Sequence, residues 1–117
     1  MKEDFTPYLP LAPAALHILL ALASEDRHGY GIMQEVVRQS DGQYKIGPGT
    51  LYDNLQKLTE QGLIETTASR PSDDPRRKYY RLTRFGRELL EAEVARLERM
   101  LREARAHSLV PKPRRAT

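Results

Sequence analysis

The stretch GPGTLYDNLQKL, residues 47–58, decides how the rest of this 117-residue sequence is interpreted. Leu51, Leu55 and Leu58 recur at the spacing of one helical face, so we expect that face to be buried. Pro48 suits the first turn of a helix, where its missing N–H would have no partner. The other face carries short polar side chains that are able to hydrogen-bond: Thr50, Asp53, Asn54 and Lys57. The stretch therefore predicts a helix with one side in a core and the other side open to a partner.

Length and composition bound the class of protein. A chain of 117 residues with 39% hydrophobic content fits one small domain, or one domain with an added helix. The absence of cysteine excludes disulfides, cysteine zinc sites and a thiol nucleophile. The longest apolar run, residues 12–23, is broken by His17 and is too short to span a bilayer. The first ten residues do not have the pattern of a signal peptide, so we expect a reduced, cytoplasmic protein that does not bind membranes.

The positive charge is concentrated in two segments. The net charge is +3, the tail at residues 107–117 has three cations and no acid, and residues 69–81 have five cations against two acids. Local positive charge of this kind suits an anionic polymer as partner, because it neutralises phosphates. For the tail, an ordinary solvated segment is an equally good interpretation.

Periodicity predicts three helices followed by a hairpin. The second helix has the apolar spacing of Ile32, Met33, Val36 and Val37, and Gly62 is a typical stop for the third. LIETTAS at 63–69 and KYYRLT at 78–83 have strand character on either side of a polar, basic turn. The predicted fold class is mainly α with a small β-hairpin, a winged helix-turn-helix domain. We place it at residues 12–82, after an irregular segment at 1–11.

A long helix is predicted after the hairpin, at residues 83–106, and a basic disordered tail at 107–117. Thr83 is the expected N-cap. Apolar residues then recur at alternating spacings of four and three, which is typical of a coiled-coil seam: Leu90, Val94, Leu97, Leu101 and Ala104. A helix of about 35 Å exceeds what a small core covers, so we expect this seam to form a homodimer.

A helix-turn-helix unit reads double-stranded DNA by placing one helix in the major groove. On the third helix, Asn54 suits adenine, Lys57 suits guanine or phosphate, and Thr50 suits a phosphate or a thymine methyl. Tyr52 lies at the border of the two faces, where it either caps the core or offers its hydroxyl to a phosphate.

The hairpin is the second predicted contact with DNA. Its cations are Arg76, Arg77 and Lys78, and a wing that lies along a DNA backbone needs such charges. The alternative is a solvated turn with local Asp–Arg pairs. From their alternation, we expect Tyr80 to face the core and Tyr79 to face outward.

No set of residues indicates catalysis. The three histidines lack metal-ligand spacing, and His17 is expected to be a packed or boundary histidine. The Gly-Pro-Gly segment is not followed by the Gly-Lys-Ser/Thr of a phosphate loop. We therefore predict no enzyme, no cofactor and no metal.

Three blocks resemble the PadR family of bacterial transcriptional regulators: HGYGIMQEV at 28–36, GTLYDNLQKLTEQGLIE at 49–65 and RRKYYRLTRFGRELL at 76–90. The resemblance implies a winged-helix homodimer that binds an inverted repeat, usually as a repressor, and is released by a small-molecule or stress signal. Asp53 departs from the family, in which a proline is frequent at this position. Asp53 is either neutralised by Lys57 or accepts from a cytosine amino group. A protein-binding adaptor that never binds DNA is the alternative function.

Overall fold

The computed structural model describes residues 4–67 and 77–110 of the chain. A 3-10 turn at Thr6–Tyr8 precedes α1 (Pro13–Ala21), β1 (Arg27–His28), α2 (Gly29–Gln39), α3 (Pro48–Glu60), β2 (Ile64–Thr67), β3 (Tyr79–Leu82) and α4 (Arg84–Ala106). Three helices followed by a small antiparallel sheet form a winged helix, and the predicted fold class is confirmed. α3 begins at Pro48, as predicted, and the predicted bounds of α4 agree with the structure to within one residue.

The core forms where α1, α2 and α3 meet. Leu51, Leu55 and Leu58 of α3 are all buried, which confirms the face predicted from their spacing. They belong to one hydrophobic cluster with the most buried side chains of the first two helices: Ile18, Leu19, Ile32 and Val36. Because hydrophobic burial acts on the leucine side of α3 alone, the opposite side of this helix is left at the surface.

The loop before α3 is held by a stacked pair of rings and by one hydroxyl. His17 of α1 is half-buried and stacks on Tyr44, with 4.2 Å between ring centroids, which confirms its prediction as a packed or boundary histidine. The Ser40 hydroxyl accepts from the Tyr44 N–H at 2.9 Å and donates to the Val36 carbonyl at 2.9 Å. These contacts fix the point at which the chain enters α3.

α4 begins against the turn that ends α3. Gly62 has a φ of 76°, a left-handed conformation that glycine adopts at low cost, as predicted for the stop of α3. The Thr83 hydroxyl accepts from the Gly86 N–H at 3.0 Å, which confirms the predicted N-cap, and it donates to the Gly62 carbonyl at 2.6 Å. A side chain on Gly86 would overlap the Leu63 carbonyl. The first turn of α4 therefore rests directly on backbone.

β3 is the central strand of a three-stranded antiparallel sheet with the order β1-β3-β2. On one side Ile64 pairs with Leu82 and Thr67 with Tyr79, and on the other side His28 pairs with Tyr79. The hairpin of β2 and β3 was predicted, but β1 was not, because two residues are too few to show a period. The wing is therefore joined to the chain that enters α2.

This additional strand changes the environment of the two neighbouring tyrosines. Tyr79 and Tyr80 are 6% and 8% exposed. The prediction that Tyr80 faces the core is confirmed, and the prediction that Tyr79 faces outward is wrong. The alternation rule assumed a hairpin with one open face, whereas β1 brings the His28 ring edge-on to Tyr79, with centroids 5.4 Å apart.

The buried residues of α4 all lie in its first ten positions: Gly86, Leu89, Leu90 and Glu93. Leu90, which was predicted to belong to the dimer seam, is 5% exposed and packs in the protomer's own core. The start of α4 lies on α1 and the sheet, so Leu90 is reassigned to the core. The apolar residues that remain for a seam begin at Val94.

The amino-terminal segment, predicted to be irregular, has one 3-10 turn and packs along α4. Phe5 and Tyr8 both lie against Phe85, with ring centroids 5.8 and 5.5 Å apart. Aromatic pairs at these distances add to the burial of the rings themselves. The segment therefore extends the core on the side of α4.

A buried carboxylate ties the same segment to α4. Glu93 is fully buried, forms an ion pair with Arg96, and accepts from the Leu11 N–H at 2.8 Å. The hydrogen bond from Arg96 holds the pKa of Glu93 below its ordinary value, although burial acts in the opposite direction. Glu93 is therefore ionised at neutral pH.

A second ionic group joins β1 to α2. Glu35 is 8% exposed, and both of its oxygens accept from the Arg38 guanidinium, at 2.8 and 2.6 Å. Arg27 lies 3.7 Å from the same carboxylate and donates to the Ala21 carbonyl at 2.7 Å. The Arg38 hydrogen bond is the largest cause that lowers the pKa of Glu35 to about 2. This group positions the strand that carries His28.

We expect Gly86→Ala to lower the free energy of unfolding by about 2–4 kcal/mol, because a methyl group at this position overlaps backbone that has no rotamer to change. Urea unfolding measures the destabilisation. Gly49→Ala is the matched control, since nothing lies within 4 Å of a side chain at that helical position. Equal stabilities of the two variants would contradict the packing of α4 on Leu63.

Glu35 should make folding stability depend on pH. A carboxylate whose pKa is lowered in the folded state stabilises that state at neutral pH, and the effect is lost as pH falls from 4.5 towards 2. We expect Glu35→Gln to lower the free energy of unfolding by about 1 kcal/mol at pH 7. The difference in this free energy between the variant and wild type should shrink below pH 3.

Urea unfolding across this pH range tests the expectation. Glu65→Gln is the control, because its pair with Arg81 is half-exposed on both sides and should contribute at most about 0.5 kcal/mol. If the difference in unfolding free energy between wild type and Glu35→Gln is constant from pH 7 to pH 2, ionisation of Glu35 does not cause that difference.

Candidate nucleic-acid interface

The outward side of α3 carries most of the polar side chains that were predicted to meet a partner. Thr50 and Lys57 are exposed. Asn54 is half-buried, and its amide donates to the Thr50 carbonyl at 2.8 Å. That bond uses one amide N–H, so the carboxamide oxygen and the second N–H are left for hydrogen bonds with a partner.

Asp53 is exposed on the same side of α3. The ion pairs at i,i+3 and i,i+4 on the described helices are those of Glu35, Glu88, Glu93 and Glu103 with their basic neighbours. No ion pair joins Asp53 to Lys57 in the ranges that the structure describes. Neutralisation by Lys57 is therefore not seen, and the alternative, acceptance from a donor on a partner, is the one that stays.

The polar residues of α3 divide into two flanks. Asn54 and Lys57 line a small cavity of about 220 Å³ that Tyr8 and Leu11 of the amino-terminal segment close on the other side. Residues on the opposite flank of α3, Tyr52 and Gln56 among them, face the sheet across a second cavity of about 280 Å³. The sequence suggested a single polar face on α3. In the fold, the polar residues lie on two flanks of this helix, one beside α1 and the other beside the wing.

Tyr52 is 52% exposed, so it does not cap the core, and the contact of its hydroxyl with a phosphate stays a prediction. A side chain on Gly29 would lie 2.5 Å from the Tyr52 hydroxyl, so this hydroxyl rests on the first residue of α2. Burial raises the pKa of Tyr80 above its ordinary value, and the neighbouring Tyr52 adds to the effect. Tyr52 therefore connects α3 to α2 and to β3, and much of its ring stays accessible.

The wing places its described cations beside the start of α2. Arg77 and Lys78 are exposed, and Arg76 lies outside the described residues. One guanidinium nitrogen of Arg77 is 3.2 Å from His28 Nε2. Together with neighbouring residues they line a cleft of about 410 Å³, which we call the His28 cleft: His28, Gly29, Tyr30, Tyr52, Arg77, Lys78 and Tyr80.

Sequence reasoning missed the part of this cleft that the start of α2 provides, His28 and Tyr30 included. His28 is the N-cap of α2, and its Nδ1 accepts from the Gly31 N–H at 3.0 Å. Tyr30, in the first turn of the same helix, is 61% exposed. Histidine is not among the usual N-cap residues, so composition gave no signal. Its position directly before the amphipathic stretch that starts at Gly29 was the available hint.

Four of the five residues predicted for the dimer seam lie on a part of α4 that has no buried residue. Residues 94–106 contribute nothing to the core of the protomer. Val94 and Leu101 are 39% and 40% exposed, and Met100 beside them is 58% exposed. Leu97 and Ala104 are partly exposed on the same stretch.

Over residues 4–67 and 77–110, no group of three or more histidine, aspartate or glutamate side chains is placed to hold a metal ion. No helix in these ranges has the length and apolar character needed to cross a membrane.

Comparison with known proteins places the chain in a family. The model of the transcriptional regulator PadR-like family matches residues 18–92. The transcriptional regulator Rv3488 of Mycobacterium tuberculosis is 37% identical over 92 residues, which cover 79% of this chain and 82% of the relative.

Solved structures agree with this assignment. A PadR family transcription regulator from Clostridium difficile has a TM-score of 0.70 and 26% identity, over 82% of this chain and 98% of that one. Bacillus subtilis PadR, solved in complex with operator DNA, shares the fold with a TM-score of 0.63 at 20% identity, over 92% of this chain and 53% of its own.

The family match spans the end of α1, all of α2 and α3, the sheet and the start of α4, and it includes every described residue of the His28 cleft. The members are regulators of transcription and not enzymes. This chain belongs to the PadR-like family of transcriptional regulators.

Proposed function

We propose that this chain is a homodimeric transcriptional regulator that binds double-stranded DNA through α3 and the base of the wing. One observation carries the proposal: the accessible side of a helix anchored by buried leucines lies next to a cleft lined by wing cations. Bacillus subtilis PadR, which shares this fold, was solved in complex with operator DNA.

In this proposal α3 is the recognition helix. Its leucines set the angle of the helix on the core, and the angle presents Thr50, Asn54 and Lys57 at the surface. In the major groove each base pair has its own pattern of hydrogen-bonding groups, so donors and acceptors on one face of a helix can recognise a base sequence there. These residues would provide the reading of sequence.

The wing would provide backbone contacts. Lys78 and Arg77 are exposed cations directly before β3, and Arg76 precedes them in the sequence. Tyr52, on α3, lines the same cleft as these cations and would offer its hydroxyl to a phosphate. Contacts with phosphates position a protein on DNA and supply most of the salt-dependent affinity.

The dimer would form through the second part of α4, by the residues Val94, Leu97, Leu101 and Ala104. Leucine and valine in an a/d pattern gain free energy when a partner helix removes them from water, and no described part of the protomer does so. A two-fold dimer presents two copies of α3, so its operator should be an inverted repeat.

The direction of regulation rests on the family. We propose a repressor that leaves its operator when a small molecule or a stress signal is present, since the resemblance implies this behaviour. The cytoplasm is the compartment in which such a regulator meets DNA. No cofactor is assigned.

The alternative is a winged-helix adaptor that binds protein and not DNA. Asp53 favours it, because an exposed carboxylate on the outward side of α3 would face phosphates if DNA lay there. Salt-dependent binding to duplex DNA separates the two functions, because an adaptor would show none.

We expect Lys57→Gln and Arg77→Gln each to weaken binding to duplex DNA and to reduce the salt slope of log K by about 0.9 for each phosphate that the variant no longer neutralises. Fluorescence anisotropy with labelled duplexes, at salt concentrations from about 50 to 200 mM, measures both quantities. The natural target is DNA upstream of the chain's own gene.

Arg99→Gln is the control for this experiment, since it removes the same charge from the side of α4 opposite the seam and should leave the slope unchanged. If Lys57→Gln and Arg77→Gln bind DNA with wild-type affinity and slope, the proposed interface is wrong. If wild type itself shows no salt-dependent binding, the adaptor is the better function.

We expect Leu97→Asp and Leu101→Asp to yield monomers, because a charge in an apolar seam is not compensated there. Sedimentation velocity measures the change, and affinity for a two-half-site operator should fall with it. Ala95→Asp is the control, because it adds the same charge to α4 at an exposed position off the seam. Full dimers in both leucine variants would place the interface elsewhere.

A further inference from the structure

We propose that the small cavity between α3 and the amino-terminal segment is an effector site for a small aliphatic carboxylate, and that this ligand competes with DNA for α3. We call it the Tyr8 cavity. Tyr8 and Leu11 form one wall, and Asn54 and Lys57 of α3 form the other. The competition rests on the proposed function, in which α3 is the recognition helix, but binding of the ligand does not need DNA and is tested alone.

The walls of the Tyr8 cavity are fixed by contacts elsewhere in the fold. The Tyr8 ring packs edge-on against Phe85, with centroids 5.5 Å apart. The Leu11 N–H donates to the buried carboxylate of Glu93 at 2.8 Å. On the other wall, the buried leucines hold α3 on the core. Because these walls are already ordered, little conformational entropy is lost when a ligand enters.

The floor of the cavity is apolar. Ala15, Leu58 and Leu63 are buried residues that line it, and half-buried Leu11 continues the apolar surface towards the rim. A hydrocarbon chain that lies on this floor gains free energy, because both surfaces are removed from water. The ligand should therefore have an apolar body.

The rim of the cavity carries hydrogen-bond donors and one positive charge. Lys57 is exposed and forms no ion pair within the part of the chain that the structure describes. The amides of Asn54 and Gln61 and the hydroxyl of Tyr8 belong to lining side chains, and one Asn54 N–H is not used by its bond to the Thr50 carbonyl. A carboxylate suits such a rim, since it has a negative charge and two oxygens that accept.

The acids near the cavity do not offset the charge of Lys57. None of the described residues that line the cavity is acidic, and Asp53 is not among them. Glu93 bonds to the N–H of Leu11, but its own charge is paired with the Arg96 guanidinium. The charges at the rim therefore favour an anion over a neutral ligand or a cation.

The volume of the cavity sets the size of the ligand. A dry protein cavity of about 150 Å³ takes one benzene molecule, which is roughly 25 Å³ for each carbon atom. The Tyr8 cavity has a volume of about 220 Å³. It therefore has room for about eight or nine non-hydrogen atoms by the same ratio. Hexanoate has this size, and its chain can lie along the floor while its carboxylate stays at the rim.

Occupation of the cavity should weaken DNA binding. A carboxylate bonded to Lys57 and Asn54 takes donors that the proposed recognition helix would offer to DNA, and it adds a negative charge beside them. Ligand and DNA are then linked, so each lowers the affinity for the other by the same factor. We expect saturating hexanoate to lower the affinity for DNA about tenfold, the scale of one lost contact with a base pair.

Sodium hexanoate is the probe, and the first experiment contains no DNA. Sodium hexanoate replaces sodium chloride at constant ionic strength while ¹H–¹⁵N spectra of the full chain are recorded. We expect saturable shifts at the backbone amides of Leu11 and Leu58 and at the side-chain amide of Asn54. Shifts that do not saturate, or that are confined to residues 94–104 of α4, would overturn the site.

Hexanamide is the matched ligand, because it has the same shape without the charge. We expect hexanamide to bind about tenfold more weakly than hexanoate, the effect of losing a charge-assisted hydrogen bond. Equal affinities of the two ligands would show that Lys57 does not select a carboxylate and would overturn the proposed ligand class. This comparison uses wild type, so it does not depend on the folding of any variant.

Paired variants test the lining residues. Tyr8→Phe keeps the ring on Phe85 but removes one donor, and Lys57→Met keeps the aliphatic side chain but removes the charge. We expect each to weaken hexanoate binding about tenfold. Tyr44→Phe and Lys45→Met make the same changes at residues that do not line the cavity, and they should change the affinity less than about twofold. Equal effects of the variants and their controls would overturn the site, and thermal unfolding identifies any variant that fails to fold.

Duplex DNA then separates this inference from the proposed function, with fluorescence anisotropy as the measurement. If hexanoate lowers the affinity of wild type for DNA, and Tyr8→Phe needs about tenfold more hexanoate for the same effect, both are supported. If wild type binds DNA but hexanoate leaves that affinity unchanged, this inference is wrong and the proposed function stands. If hexanoate binds in the cavity but wild type binds no duplex DNA, the ligand site stands and the proposed function fails.

Discussion

The close contact between the first turn of α4 and the backbone at Leu63 is the constraint on which the arrangement of the molecule depends. Gly86 has no side chain, so α4 lies directly on the carbonyl of Leu63, and the Thr83 hydroxyl bonds to Gly62 one residue earlier. This turn is where α3 ends. The helix that carries the polar face and the helix that carries the exposed apolar stripe are therefore fixed to the same few backbone atoms, and a change in the direction of one requires movement of the other.

The features that were predictable from sequence are those decided within a few residues of the chain. The spacing of Leu51, Leu55 and Leu58 identified α3, because a helix repeats its face every 3.6 residues whatever surrounds it. Thr83 and Gly62 marked the bounds of α4 and α3, because a cap and a left-handed stop are properties of the local backbone. At such places the interacting residues are close in sequence as well as in space, so the sequence pattern is sufficient to predict the structure.

The features that were missed depend on which distant segments meet. β1 is two residues long and exists because β3 offers it an edge, so Tyr79 became buried by a strand about 50 residues away. Leu90 continues the seam pattern, and only the docking of α4 on the core assigns it to the protomer. The same holds for the candidate site: Arg77 and Lys78 were found by their charge, but His28 joined them through the sheet. Charge is visible in a sequence, whereas the partner of a strand is not.

Placing the described wing cations and His28 in one cleft leaves α3 with a different task. In the proposed function, phosphate contacts at the wing base would supply affinity that does not depend on sequence. α3 then need not be basic, and it carries one lysine alongside Asp53. A carboxylate close to phosphates is unfavourable unless it accepts a hydrogen bond, and the donor in the major groove that suits it is the amino group of cytosine. Asp53 has no ion pair with Lys57 within the described residues, so its charge is available for that bond. We therefore expect Asp53 to discriminate between bases. The Asp53→Asn variant should lose preference at one base pair and bind non-operator DNA more tightly. Measuring the affinities of wild type and Asp53→Asn for a set of operator variants tests this expectation. A uniform gain on all duplexes, with preferences unchanged, would show that Asp53 only repels the backbone.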